Sequence, residues 1–593
     1  MGRYTTRNGI SLDRRDHRTN SCQNLFEKER WTSAEALTLV FLGLFAFVVL
    51  ASGLSIRSLW GPEGRWAVII REMVRRGAYC LPTTNGVVDF DKPLLGYWAA
   101  IPFAWLGGVN EAAIRLPSVI AGALVVSLVF CLGRRLFGPL RGLLSAALLL
   151  SSSLFVFWSR TASAELLNTL AIWLMFWAYV AGGSEGRFRY LLVFYGAGAV
   201  GSFVKGPVAP AVAISAIALF SLWQAVAQMH RGKERKRACL IFWFRWILSQ
   251  RGLTGALFGL ILFLALLLVP VLITGSWTSV SLMWRENIVR FLHPFDHRDP
   301  PYVYFLYVAI FFAPWTLFLV ASLWDKRKGP LDWGERWLLL IVLGIFMFFT
   351  LSGSRRSYYI LPILPGLALV SGKAMVDWVH RQKSSFNLMV FAAFITTCLM
   401  VLVGAGLLLL PQRFTEYRSV SELLVGTTAV VVGVGAFLCF RNRRFRLGLV
   451  ALVALAIFLN SWGFTGGMAL VEKKRTLIGF VQRVTPYLKG SDYGKVCLYQ
   501  QGTASLIFYL NSPQPIPECT TTEQCETFRK EAGGSYIIAD MNEVKDPDML
   551  TYLDGMARIV EQDTPHDNKE RFVLFAFGPG NRKGSEPDRF SAR

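Results

Sequence analysis

Charge is scarce in this chain, and acidic charge is scarcest. Asp, Glu, Lys and Arg make up 17% of the residues, against roughly 25% in a typical soluble domain. The apolar share is 53% before glycine is counted, whereas soluble proteins reach about 45–50% with glycine included. This excludes an ordinary soluble enzyme and favours a membrane protein. The nine cysteines show no C-x-x-C pair, so no zinc-finger or redox motif is legible. A cleavable leader is not indicated either, because the first apolar run, 36–54, is too long for a signal-peptide core.

What is present is basic. Lys and Arg number 62 against 39 acids, a net charge of +23. Nucleic-acid binding is one reading of such a surplus. The cations, however, fall in short clusters between apolar runs, the footprint of the positive-inside rule. Candidate spans, judged against the ~20 apolar residues that cross a bilayer core, are 36–54, 113–132, 140–158, 166–182, 188–204, 206–224, 253–274, 303–323, 336–352, 357–374, 387–410, 421–440 and 446–463. With the N-terminal segment 1–35 in the cytoplasm, nearly every dense basic cluster, above all 231–237 (RGKERKR), lands on the cytoplasmic side. The odd number of spans then puts the tail outside. No inverted repeat of the transporter kind is visible.

The expected fold is therefore an all-α polytopic membrane domain over 36–465, with about 13 transmembrane helices and outside loops 55–112 and 275–302. A small soluble α/β domain follows over 470–580, and a polar tail, 581–593, reads as disordered. Strand-like runs are expected at 495–499, 535–539 and 571–577, and helix-like runs at 473–488, 505–510 and 521–531. The stretch 66–76 (WAVIIREMVRR) has apolar residues at helical spacing and reads as a helix lying on the membrane surface. Segment 94–106 is too short to span and reads as interfacial or re-entrant. Cys497, Cys519 and Cys525 lie in the polar tail, where one pair is a disulfide candidate in an oxidising compartment.

The outside loops hold the polar residues that could carry chemistry. In order these are Glu63-Gly64-Arg65-Trp66-Ala67, Asn85-Gly86, Asp91-Lys92-Pro93-Leu94, Tyr97-Trp98, Arg115-Leu116-Pro117, the run 160–167 (RTASAELL), Lys205-Gly206-Pro207, 286–293 (ENIVRFLH) and 355–365 (RRSYYILPILP). Their order and spacing over roughly 35–375 resemble the bacterial lipid-linked-sugar transferases that include the aminoarabinose transferases of lipid A. That family is related to the protein O-mannosyltransferases and shares their GT-C architecture. In one place the chain departs from it: the family's first element has Asp-Glu, and this chain has Pro62-Glu63. Either Glu63 takes the acidic role after a one-residue slip, or that role has moved.

The resemblance implies a bacterial inner-membrane enzyme that moves a glycosyl group from undecaprenyl phosphate to lipid A or another envelope acceptor, glycan or protein. Phosphate leaves the anomeric carbon, so preorganised cations stabilise the transition state. Lys92, Lys205, Arg290, Arg355 and Arg356 suit that task, with Tyr358 or Tyr359 as hydrogen-bond donors. A hydroxyl acceptor needs a carboxylate base, for which Glu63 and then Glu165 are the candidates; a phosphate acceptor is already ionised and needs less help. Arg65, Asp91 and Arg160 are further loop residues of the expected site.

Plainer roles stand beside each of these. Glu63 is placed to cap the helix that follows it. Glu165 could pair with Arg160, and Arg355 and Arg356 could anchor a helix end. Tyr97, Trp98 and Tyr302 read as interfacial belt residues. The loop H-P-F-D-H-R-D around His293, Asp296, His297 and Asp299 is a weak metal-ligand pattern. No cofactor is indicated, a divalent metal stays open as an alternative, and no nucleic-acid partner is expected. A protein O-mannosyltransferase-like enzyme, a lipid-linked-sugar flippase and an inactive homologue are the alternatives.

Overall fold

The computed structural model describes residues 31–90, 92–229, 246–285, 289, 299–325, 330–381, 388–409, 420–474, 477–488, 490–499, 504–531, 533–562 and 571–577. Asp91, Arg290, His293, Asp296, His297, the basic stretch 231–237 and the polar tail lie outside them. The chain is a multi-pass helical membrane protein with a small C-terminal sheet. Among the described residues nine helices are long and apolar enough to cross a membrane, and up to eleven if each of two bent pairs counts as one span.

The helices named below are α1 (Ser33–Ala51), α2 (Glu63–Arg76), α3 (Glu111–Phe137), α4 (Glu165–Ala181), α5 (Phe188–Lys205) and α6 (Gln250–Thr274), with α7 (Ala504–Leu510) and α8 (Thr522–Glu531) in the tail. All thirteen expected segments are helical, but they are not all straight spans. Pro139–Leu150 and Ser153–Ser159 meet at 70°, and Val303–Phe311 and Thr316–Trp324 at 111°. At the first break the hydroxyls of Ser151 and Ser152 turn back onto the carbonyls of Ala147 and Leu148, an alternative to helix continuation. At the second, Pro314 has no N–H to offer the ladder. Helix α4 has only 17 residues.

Small residues set the closest helix approaches. A Cβ on Gly133 would meet the Cα of Gly142 at 2.6 Å, and one on Gly201 would meet Ala171 and Ala209 within 2.8 Å. In lipid, where apolar contact alone gives helices little reason to associate, such close packing is a main source of affinity. Charge buried at helix ends is paired across helices. Lys373 donates to Glu335 at 2.6 Å and Asp377 at 2.9 Å, and Arg141 reaches Asp377 at 2.7 Å. Lys373 and Asp377 are one turn apart on a single helix, whereas Arg141 and Glu335 come from two others, and no sequence pattern announces their meeting.

The segment 55–112 departs from expectation. Helix α2 does not lie with its apolar face on a membrane surface. Trp66, Ala67, Val68, Ile69, Ile70 and Met73 are all buried, packed in one core with Leu506, Phe508 and Ile516 of the tail. Arg71, also buried, donates to the carbonyls of Ile507 and Phe508. Asn85 and Gly86 both have positive φ, 52° and 81°, and close the hairpin in which Thr83–Thr84 pairs antiparallel with Val87–Val88. This is the two-residue turn that Asn-Gly favours. The Asn85 side chain then docks on the tail, exchanging two 2.8 Å bonds with the backbone of Ile516 and donating to Glu518. Tyr97, expected as a belt residue, is instead buried against Trp66, with ring centroids 4.7 Å apart.

The tail sheet has five strands: β1 (Val496–Tyr499), β2 (Glu518–Cys519), β3 (Tyr536–Asp540), β4 (Ala557–Glu561) and β5 (Phe572–Ala576). Their spatial order is β2-β1-β3-β5-β4. β1 is parallel to β2 and β3, while β5 is antiparallel to β3 and β4. β2, β4 and a helix, Pro547–Asp554, were not visible in the sequence. β2 has only two residues, and β4 carries Arg558 and Glu561 on a half-exposed edge.

Gly64 of α2 sits where a side chain would meet the backbone of Ser505 at the start of α7. Gly64→Val should weaken this seam by about 1–3 kcal/mol, the cost of overpacking. Limited proteolysis of the detergent-solubilised protein should then cut between the bundle and the tail faster than in wild type.

Candidate functional site

The motif residues converge on two centres, each built around one carboxylate among cations. At the first, Glu63 begins α2 at full burial. Its Oε1 accepts from Arg115 Nε at 2.7 Å and from the Ala162 amide at 2.9 Å. Its Oε2 accepts from Arg115 Nη2 at 2.6 Å, Arg57 Nη2 at 3.0 Å and the Trp60 amide at 3.2 Å. A carboxylate has about four lone-pair sites, and five donors occupy them. Burial alone would raise its pKa, but the hydrogen bonds and charge of Arg115, with the charge of Arg57, outweigh that and hold it below the ordinary 4.5.

That occupancy corrects the expectation that Glu63 is a general base, because no lone pair is left for an acceptor's proton. The residue is a keystone. Arg115, equally buried, also donates to the carbonyls of Leu54, Arg57 and Ser58, so the ion pair clamps the loop that leaves α1 onto α3. Arg160 belongs to the same region but does not pair with Glu165; it donates to Leu50 at 2.7 Å and Phe464 at 3.3 Å through their carbonyls. Arg65 makes an ion pair with Asp89, which Thr84 supports. Arg57 was not anticipated, since nothing in its sequence context marks it.

The second centre is cationic and aromatic. Lys205 ends α5, and Gly206, at φ 67°, turns the chain into Val208–Met229; a side chain is disfavoured in that conformation. Lys205 Nζ grips both oxygens of Glu165, at 2.5 and 2.6 Å. The ammonium also lies 4.5 Å from the ring centroid of Tyr359 and 5.8 Å from that of Tyr358. Arg356 donates to the Tyr358 hydroxyl at 2.8 Å, and Tyr358 packs on Trp158. Lys92 and Arg356 are both close enough to repel the Lys205 charge.

Arg355 is turned away from this group. Its guanidinium donates to the carbonyls of Thr350 and Asp299, a positioning role that ties the 350–356 turn to the end of the loop before Val303. The hydroxyls of Tyr304, Thr350 and Ser354 are buried and meet no hydrogen-bond partner among the described residues. Beside the cluster, Lys92 shares an apolar pocket with Phe90, Pro93, Leu94, Phe203, Leu267 and Pro270. Phe203 is two residues from Lys205. One polar end and one apolar lining suit an amphiphile with an anionic head.

Comparison with known proteins bears on this geometry. Residues 91–273 match the family model described as dolichyl-phosphate-mannose-protein mannosyltransferase. The undecaprenyl phosphate-alpha-4-amino-4-deoxy-L-arabinose arabinosyl transferase of Shewanella sediminis is 25% identical over 75% of this chain and 80% of its own. A relative of the same name with the number 1, from Pseudomonas fluorescens, is 29% identical, with 60% of this chain matched to 61% of its length. The corresponding transferase 1 of Sodalis glossinidius is 30% identical over 71% of this chain and 75% of its own. The chain belongs to this arabinosyl transferase family. The fold agrees: the crystal structure of ArnT from Cupriavidus metallidurans bound to undecaprenyl phosphate superposes with a TM-score of 0.68 over 92% of this chain and 98% of that one, at 18% identity.

Among arabinosyl transferase relatives, then, this chain carries Pro62 where the resemblance led one to expect Asp, and the neighbouring Glu63 is spent on structure. Two outcomes follow. Arg115→Ala strands a buried carboxylate and should destabilise the fold by about 3–5 kcal/mol, read as a lowered unfolding temperature in detergent. Because the Glu63 pKa is depressed in the fold, its contribution is present above pH 4.5 and is lost as the pH falls below that value toward its folded pKa. Acid should therefore lower the unfolding temperature in that window, and Glu63→Gln should flatten the dependence.

Proposed function

We propose that this chain is a glycosyltransferase that moves 4-amino-4-deoxy-L-arabinose, or a closely related sugar, from undecaprenyl phosphate to a phosphate group of lipid A. The observation that carries this reading is the Lys205–Glu165 pair under Tyr358, Tyr359 and Arg356, next to the apolar pocket that holds Lys92. The enzyme sits in the bacterial inner membrane, with its N-terminus in the cytoplasm and the tail sheet and site loops on the outer side.

In this mechanism the prenyl chain passes the apolar side chains around the Lys92 pocket and the donor phosphate meets the cations. An acceptor oxygen attacks the anomeric carbon as the bond to the carrier's phosphate oxygen breaks. The electron pair leaves on undecaprenyl phosphate, and one direct displacement inverts the configuration. Lys92, Lys205 and Arg356 oppose the charge that grows on the leaving group, in surroundings of low dielectric where fixed charges act strongly. Glu165 holds Lys205 in place, an orienting role.

The acceptor follows from the carboxylates. Glu63 is saturated, and both oxygens of Glu165 are held by Lys205. A hydroxyl acceptor would need a carboxylate base not already committed to a cation, whereas a phosphate is already ionised. The arrangement therefore favours a phosphate acceptor over the hydroxyls that a protein O-mannosyltransferase uses.

In proteoliposomes, wild type should transfer radiolabelled sugar from its undecaprenyl-phosphate donor to lipid A and should leave dephosphorylated lipid A unlabelled. Lys205→Ala should lower the rate by about 10²–10³-fold, the scale for one lost electrostatic stabiliser. Equal labelling of dephosphorylated acceptor would return the reading to a hydroxyl nucleophile with Glu165 as base. Movement of the intact donor across the bilayer without transfer would make the protein a flippase.

A further inference from the structure

The tail sheet holds a cluster that the transfer reaction does not use. Cys519 of β2 pairs across the parallel ladder with Tyr499 of β1. Cys497 lies two residues before Tyr499, so the strand period of two puts it on the same face as Cys519. Helix α8 starts just after β2 and crosses that face, bringing Cys525 onto it. The three sulfurs lie within 4.8 Å of one another, and all three residues are buried. They are free thiols, so the disulfide expected between two of them is not formed. Their surroundings are apolar: Ile537, Val573 and Phe575 from the sheet, with Met549 and Leu553. The opposite sheet face, with Leu498, Ile538 and Leu574, packs toward α2.

We propose that Cys497, Cys519 and Cys525 bind one thiophilic d10 cation, of the zinc(II) or copper(I) class. Thiolate ligands select such soft or borderline ions over magnesium or calcium. With metal–sulfur bonds of about 2.3 Å, three sulfurs around one ion stand about 4 Å apart, within the separation seen here. A disulfide would use two of the sulfurs and leave the third as an odd buried thiol, whereas one cation uses all three. Among the described residues no other group of three metal-ligating side chains is gathered this way.

Binding would staple β1, β2 and α8 together. The staple ends one residue from Glu518, which accepts from Asn85 of the first outside loop at 2.8 Å. The ion is thus placed to stiffen the seam on which that loop rests, with no part in the chemistry.

The test uses the full chain in detergent, purified without thiols. Cysteine-resolved alkylation and mass spectrometry report the oxidation state. Metal content is then measured after incubation with zinc(II) and removal of the excess, and cadmium(II) serves as an optical probe through its thiolate charge-transfer absorption. The expected result is about one ion per chain and protection of all three thiols from alkylation until a chelator is added. Cys525→Ser should weaken binding at least tenfold, the scale for loss of a metal-site group. The cadmium spectrum of wild type supplies the same answer if that variant fails to fold. A disulfide among the three in the chain as purified, or no uptake of zinc(II), cadmium(II) or copper(I) by the thiol form, overturns the proposal.

Discussion

One buried negative charge organises the half of this molecule that carries its long loops and tail sheet. Taking the Glu63 carboxylate out of water costs several kcal/mol unless its partners are in place. Those partners arrive from three separate places: Arg57 and Trp60 from the loop after α1, Arg115 from α3, and the Ala162 amide from the turn before α4. Each must be present together with the others, because an incomplete set would leave either the acid or a guanidinium unsatisfied. The network therefore specifies one arrangement of loop and helices, which area burial alone would specify only loosely.

The segments that carry Glu165 and Lys92 both run on from that arrangement. The segment that donates Ala162 to Glu63 continues within three residues to Glu165, which holds Lys205. The loop that begins at Glu63 runs through α2 and the Asn85-Gly86 turn to Lys92. One centre is closed, with more donors than lone pairs. The other keeps cations, ring faces and unpartnered hydroxyls together beside a pocket. A saturated group gives rigidity and cannot exchange protons, whereas catalysis needs charge that is held but still available.

The tail participates in the same design. α2 lies between bundle and tail, and its buried Arg71 reaches two tail carbonyls. Tyr509 of α7 accepts from the Leu59 amide and donates to Glu111 at the start of α3. The tail is thus fastened to the loop at several points, and the helix that read as membrane-surface is in fact an internal beam. The amphipathic pattern was real; its apolar face found protein in place of lipid, a choice periodicity cannot make.

Sequence by itself determined the membrane class, the thirteen helical segments, the main tail strands and the family, since apolar run length, period and motif order are local properties read along one chain. It also picked out most residues of both centres: Glu63, Arg115, Arg160, Glu165, Lys92, Lys205, Arg356, Tyr358 and Tyr359. What it could not assign was which acid is saturated by structure, because that depends on how many donors from distant segments reach each oxygen. The same limit hid Arg57, the Lys373 cluster and the meeting of Cys497, Cys519 and Cys525, whose spacing matches no ligand motif until a parallel strand pair and a helix bring them together. A residue's kind is written locally; its occupancy, burial and partners are set only when the chain closes on itself.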